Sequence, residues 1–436
     1  MQRFKSSFDL NRVSISQILN WAEQYDHFTY FNHCGIPYRF DSFPHMLAVG
    51  CHDKVSFDGI DDFHQLAKHP LLNKDWLVGY LGYDLKNQLE KLESKNPDRI
   101  GNADIYFYQP KHILHFGEQE ITIESLDDPN KVIDEIKLII PDAKPDKNRS
   151  FKLRQNTSRE EYLKTVSSLQ NHILEGDIYE INYCIEFSAQ NASIDPAEFY
   201  QHLTSISPTP FSVFQKIGAQ YLMCASPERF LKKEGSKLIS QPIKGTIRRG
   251  SNTEEDEQLK DILRHSEKER AENMMIVDLV RNDLARSSKP GSVRVDEIFG
   301  IYSFKQVHQM VSTIVSTIKQ GCSAVDAIKN AFPMGSMTGA PKIKVMELID
   351  KYERAKRGLY SGAVGFLTPD GDFDFNVVIR SLLYNEASNT LAFQVGSAIT
   401  YDSVPKQEYE ECLLKAQAIM QVLEHARLNT TLSNLL

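Results

Sequence analysis

Read at 3.6 residues per turn, Ser266–Arg286 places Glu269, Glu272, Ile276, Leu279 and Asp283 along one helical stripe. Acid at the edge of an apolar stripe is costly to bury unless a cation meets it. Glu408–Glu411, ahead of Cys412, Leu413 and Leu414, repeats the pattern of two carboxylates three residues apart. The two helices either present solvated acidic faces or hold a divalent cation between them. Upstream, Ser158 and Glu161 form a capping box for a helix with the apolar stripe Tyr162, Val166, Leu169 and Ile173, ending at Gly176. Ile178–Phe187 then alternates with a period of two. Tyr179, Ile181, Tyr183, Ile185 and Phe187 face one way, and Glu180, Asn182, Cys184 and Glu186 the other. That polar face is either a solvent face or the wall of a site.

Further along, Phe211–Leu231 reads as a strand hairpin, Lys237–Ile247 as a strand and Arg248–Glu257 as a solvated loop. Ser292–Phe299 reads as a strand, Ser303–Lys319 as a helix carrying His308, and Ala324–Ala331 as a helix. Pro341 suits the first turn of a helix running to about Lys356. Ser361–Leu367, Phe373–Tyr384 and Thr390–Ile399 form an antiparallel meander with Arg380 in its middle strand, and a last helix follows Pro405. Before Asp142 the pattern is weaker. Asp75–Asp84 reads as a strand with glycines at close approaches, Leu85–Leu92 as a possible helix start, and Pro141–Ser150 as a linker. Runs of antiparallel strands between long helices predict an α+β protein.

Composition narrows the class. The 436 residues, 41% hydrophobic and 25% charged, make an ordinary globular chain of one large or several smaller domains. A net charge of −8 gives no electrostatic ground for nucleic acid or an anionic membrane as partner. No apolar run reaches the roughly 20 residues that span a bilayer, and the first residues lack the apolar core of a secretory signal. Six scattered cysteines without CxxC spacing argue against a zinc site or disulfide framework, so a reducing cytoplasm is expected.

Three features carry candidate chemistry beside the acidic pairs. Lys244, flanked by apolar residues and followed by Gly245–Thr246, is either snorkelling or held in a site. The Gly/Ser/Thr turn Met334–Gly339 feeds a helix N-terminus and offers N–H groups to an anion, although GxxxxGK[ST] is not satisfied. Arg380, among apolar neighbours, needs a carboxylate from the protein or from a ligand. A divalent cation, two anion anchors and an odd lysine suggest a small polycarboxylate substrate without naming it.

Four motifs name a family. Lys268–Asp283 (KERAENMMIVDLVRND), Pro242–Thr246 (PIKGT), Gly335–Lys342 (GSMTGAPK) and Gly358–Gly365 (GLYSGAVG) together resemble the chorismate-utilising enzymes over about Thr157–Ala418. Gly79–Asp84 (GYLGYD) is similar to them more loosely. The resemblance implies a large, mostly antiparallel two-sheet core with helices outside. Residues 1–150 would be an N-terminal part packed on that core, and 151–436 the chorismate-binding catalytic part of one compact unit. It implies Mg²⁺ gripping the ring carboxylate of chorismate through Glu272 and Glu411, with Glu269 and Glu408 behind them. It assigns Arg380 and Tyr360, with backbone amides near Gly396, to the enolpyruvyl carboxylate. Gly245, Thr246, Thr338 and His308 line the ring, His308 counting among the catalytic groups, and Lys415 joins the substrate-binding set. Glu228 is the general acid on the C4 hydroxyl, kept protonated by burial near other carboxylates.

Lys244 stands where members that make anthranilate have alanine. In its branch the lysine adds at C2 as the C4 hydroxyl departs, and ammonia then attacks C4. That step requires a neutral amine, so desolvation is expected to lower its pKa. The branch implied is the one forming 4-amino-4-deoxychorismate for 4-aminobenzoate and folate synthesis. The rivals are the anthranilate-forming branch and a non-catalytic chorismate-binding subunit. Two positions depart from the pattern. Glu180 stands where isochorismate and salicylate synthases carry a water-activating lysine and most members of the present branch a glutamine, and Ala398 stands where a glycine is expected. No segment reads as a glutaminase, with its nucleophile-elbow cysteine and downstream His and Glu, or as a pyruvate-releasing lyase. Ammonia is therefore expected from solution or from a separate glutamine amidotransferase subunit.

Overall fold

Each strand pairing among the described residues is antiparallel, as the meanders and hairpins of the sequence require. The chain is seen in a computed structural model that describes residues 3–10, 13–55, 57, 59, 61–139 and 151–433, the side chains through residue 424. The Pro141–Ser150 linker lies outside the described residues. Helices pack around a connected antiparallel sheet, as the α+β reading with a large antiparallel core expects. None of the helices described is long and apolar enough to cross a membrane.

The Glu180–Ala189 strand is central to the arrangement. It pairs along its length with Thr390–Ile399, from Leu391↔Ala189 to Ile399↔Ile181, and its start pairs with Gly339–Ala340. The helix Arg159–Leu174 packs nearby, with Ser158 Oγ accepting from the Glu161 amide and Tyr162, Val166 and Leu169 buried. Both faces of the strand are therefore covered. Its polar face is an inner wall, with Glu180, Asn182 and Glu186 all buried.

Several boundaries differ from the sequence reading. Ser303–Lys319 is not a helix: Val307–Thr317 is a strand, paired with Lys237–Gln241, Ile243–Arg248 and Arg294–Ser303. Its β-branched residues suit a strand, and partners on both edges with cover on both faces remove the alternation that would have marked it. Lys237–Ile247 divides at Pro242, which lacks the N–H a central ladder would use. The charged loop ends at Asn252, whose Oδ1 accepts from the Glu255 amide and starts the helix Thr253–His265. That helix meets the next, Glu267–Ala285, at Ser266, whose Oγ accepts from the Glu269 amide. Phe373–Tyr384 is likewise two strands, Phe373–Asn376 and Ser381–Asn385, on different partners. Arg380 sits in the break at φ 53°, not in mid-strand. The helix after Pro341 is Lys342–Tyr352, and only two short turns, Tyr83–Leu85 and Lys86–Leu89, follow the Leu77–Leu81 strand.

The N-terminal residues are built into the same sheet. His27–Asn32 pairs with Phe211–Ile217, and Leu77–Leu81 with Ala363–Leu367. The predicted acidic stripe also finds its cation, since Lys342 Nζ lies 2.7 Å from buried Asp283 Oδ2.

Candidate active site

A cavity opens where Ile243–Arg248, the Glu267–Ala285 helix, the Thr390–Ile399 strand and the last helix converge. Lys244 points into it because of a local irregularity. Ile243 pairs with Val311 but Thr246 with Gln309, so the strand carries an extra residue at Lys244–Gly245. A bulge of this kind re-aims a side chain, and Gly245 takes φ +99°, the region glycine enters most readily. The helix behind pins the bulge through Asn273 Nδ2, which donates to Lys244 O at 3.2 Å.

The lysine meets an unexpected partner. Its Nζ lies 2.6 Å from Glu180 Oε1. Burial works against the ammonium, but Glu180, with Glu272 and Glu411 farther off, outweighs burial and holds its pKa well above the usual lysine value. The expectation of a lowered pKa is thus reversed, because a carboxylate rather than apolar surface faces the nitrogen.

The two acidic helices do face one cavity. Glu269, Glu272, Glu408 and Glu411 all line it. Burial pushes the Glu272 carboxyl up to about 8, with Lys244 opposing and Glu269 and Glu180 assisting. Burial also raises Glu269, whereas at Glu411 it is overcome by Lys415, which stands 2.7 Å away and lowers the carboxyl. Lys268 lies 3.2 Å from Glu408 and 3.8 Å from Glu272 Oε1, an atom that is buried without a hydrogen-bond partner. No three of these glutamates bring oxygens within 4.8 Å of one another among the described residues. A buried carboxyl oxygen without a partner, in a cluster of acids, fits a hard divalent cation completed by substrate and water oxygens.

On the opposite wall, Arg380 and Tyr360 line the cavity with Gly396. Burial lowers the Arg380 pKa, and the guanidinium has no ion-pair partner among the described residues, as an anchor for an incoming carboxylate requires. Lys415 Nζ donates to Gly396 O at 2.9 Å, tying the last helix to this strand. Ala398 lines the same wall without filling the cavity. Glu228, in the turn between Gln220–Ser226 and Arg229–Glu234, is buried and accepts from Ser336 Oγ at 2.6 Å. Burial raises its carboxyl to about 7 while Ser336 and Lys244 oppose, so burial and not neighbouring acid keeps a proton on it. Ser336 thus ties the Gly/Ser/Thr turn to Glu228.

Gly245 and Thr246 line the cavity; His308 and Thr338 do not. His308 is fully buried on the far side of the strand from the cavity, its Nε2 3.0 Å from Asp256 and its Nδ1 2.8 Å from Ser303 Oγ. Because the segment is a strand, the neighbour Gln309 turns inward instead, with Oε1 buried and unpartnered. Thr338 is fully buried, its Oγ1 donating to Met334 O and its own carbonyl accepting from the Asn182 amide. The sequence reading also missed Asn182, Lys268, Ser336 and Gln394 as lining residues. Two had a signal: Asn182 lies on the polar face of its strand, and Gln394 precedes Gly396 and Ala398 at the strand period.

Residues 39–421 match the family described as chorismate binding enzyme. The chain is 35% identical over 365 residues to aminodeoxychorismate synthase component 1 of Bacillus subtilis, covering 80% of this chain and 76% of that one. It is 34% identical over 376 residues to anthranilate synthase component 1 of Thermus thermophilus, covering 83% and 80%. The crystal structure of anthranilate synthase component I from Streptococcus pneumoniae matches with a TM-score of 0.76 at 27% identity, over 86% of this chain and 91% of that one. Relatives with two different products stand at nearly equal identity.

Proposed function

This chain belongs to the chorismate binding enzymes, and we propose that within them it is the synthase component that converts chorismate and ammonia to 4-amino-4-deoxychorismate. Lys244, in the cavity wall where anthranilate-forming members have alanine, is the observation that carries this choice. The product would feed 4-aminobenzoate and folate synthesis.

Arg380 and Tyr360 would hold the enolpyruvyl carboxylate, and Glu272 and Glu411, backed by Glu269 and Glu408, would hold Mg²⁺; all six line the one cavity. When bound, the cation neutralises and orients the ring carboxylate. The Lys244 lone pair forms a bond to C2, the ring double bonds shift, and the C4–O bond breaks. The hydroxyl leaves as water with the proton of Glu228, and the lysine nitrogen becomes a secondary ammonium. Ammonia attacks C4, the double bonds shift back, and the C2–N pair returns to Lys244. The new C4 ammonium gives its extra proton to Glu228, which completes the cycle.

Incubation of the purified chain with chorismate, Mg²⁺ and ammonium should give a non-fluorescent product with the mass of 4-amino-4-deoxychorismate. Glutamine should replace ammonium only when a separate amidotransferase subunit is added. Fluorescent anthranilate as the product would return the chain to the rival branch.

Glu228 sets a pH limit. A carboxyl raised to about 7 is a proton donor below that pH and is spent above it. With free ammonia held constant, kcat should therefore fall as pH rises through about 7. Glu228→Gln should be slow and lack that limb. A wild-type profile with no fall through this window would remove Glu228 from the role.

A further inference from the structure

Glu180 is the carboxylate that the scheme above leaves idle. It is fully buried, it does not line the cavity, and it sits behind Lys244 with Oε1 2.6 Å from Nζ. Neither oxygen has a hydrogen-bond partner among the described residues, so the ion pair with Lys244 is the contact that meets its charge. Its place is fixed from the backbone. Gly339–Ala340 pairs with Ile181–Glu180, and Gly339 approaches so closely that a Cβ there would stand 2.1 Å from Glu180 O. The strand position thus cannot drift, and the carboxylate is held against one nitrogen.

The other charged groups stand farther from Lys244. Glu272 and Glu269 on the Glu267–Ala285 helix, and Glu411 on the last helix, line the cavity, with Lys268 3.8 Å from Glu272 and Lys415 2.7 Å from Glu411. Glu228 lies under Ser336, and Arg380 on the opposite wall faces the enolpyruvyl side. Among the described residues, only Glu180 has a carboxylate oxygen within 4.0 Å of Nζ.

We propose that Glu180 is the proton acceptor of Lys244, acting through that lysine and not on the substrate. Oε1 takes one proton from Nζ and frees the nitrogen lone pair for C2. When ammonia expels the lysine as a neutral amine, the proton returns from Glu180. The pair is neutral overall before and after the transfer, so burial does not oppose it, whereas release of the proton to solvent would leave a lone buried carboxylate. A glutamine in this position would leave deprotonation to solvent.

The inference rests on the covalent reading of the preceding subsection, and the test separates the two. Wild type, Glu180→Gln and Glu180→Asp are mixed with chorismate and Mg²⁺ without ammonia, from about pH 6 to about pH 9. The rate of adduct formation on the Lys244 peptide is followed by mass spectrometry, and products with ammonium are identified in parallel. Glu180→Gln should form the adduct at least about tenfold more slowly near neutral pH, the deficit closing by about tenfold per pH unit as solvent takes over. Glu180→Asp should recover part of the low-pH rate. Comparing each rate with that of wild type cancels the ionisation of Glu228. A Glu180→Gln profile that matches wild type, or Asp and Gln equally slow at every pH, overturns the inference while the reaction stands. Wild type that forms no adduct overturns the covalent reading and this inference with it.

Discussion

Lys244→Arg and Lys244→Ala should lose formation of 4-amino-4-deoxychorismate comparably, by about two orders of magnitude or more (~3 kcal/mol), as expected for a missing nucleophile. Arginine preserves the charge beside Glu180 and could neutralise a substrate carboxylate, but a guanidinium stays protonated at any working pH. The pair of variants therefore separates a nucleophile from a counter-charge. The measurement is kcat at saturating ammonium, with circular dichroism to show that removing the partner of buried Glu180 has not cost the fold. Wild type quenched with chorismate should also carry an adduct that maps to the Lys244 peptide. An arginine variant with most of the rate and no adduct would end the covalent role while leaving the substrate assignment standing.

Glu272→Gln or Glu411→Gln should reduce turnover to below about 1% of wild type with the fold intact, because each removes a charged ligand from a cation that orients substrate. Glu272 is the sharper case. Its Oε1 is buried with no hydrogen-bond partner, and its carboxyl is pushed up to about 8. Such a group weakens the protein unless a ligand repays it. Titration calorimetry of Mg²⁺ into each variant should show binding lost or greatly weakened, and EDTA should stop the wild type. Full activity in EDTA would remove the metal from the mechanism.

Much of this site was legible in the chain because its chemistry is carried by residue types that are costly to bury. Glu272, Glu411, Lys244 and Arg380 stand out against apolar neighbours, and all four line one cavity. A local signal was equally plain: Ser158 caps its helix through the predicted Glu161 amide. What was hidden depends on contacts far along the chain. Val307–Thr317 looks helical in isolation and becomes a strand only between Ile243–Arg248 and Arg294–Ser303. That single difference moves the inward position from His308 to Gln309. Arg248–Glu257 looks like a charged loop because the Asp256 that it buries pairs with distant His308 and nearby Arg249. The Lys244–Glu180 pair joins residues 64 positions apart, and no local pattern in either strand announces it.

The interleaving of the N-terminal strands with the catalytic ones bears on how the molecule comes into being. Phe28 is paired with Lys216 and Tyr80 with Val364, so the sheet closes only after most of the chain has left the ribosome. Contacts of such sequence separation carry large loop-closure costs and make folding slow. Until Ala363–Leu367 arrives, Leu77–Leu81 has one edge unpaired, the condition in which strands join the wrong neighbour. Assembly of the carboxylate-and-lysine cavity is accordingly expected late in folding, after Ala363–Leu367 and the last helix have been made.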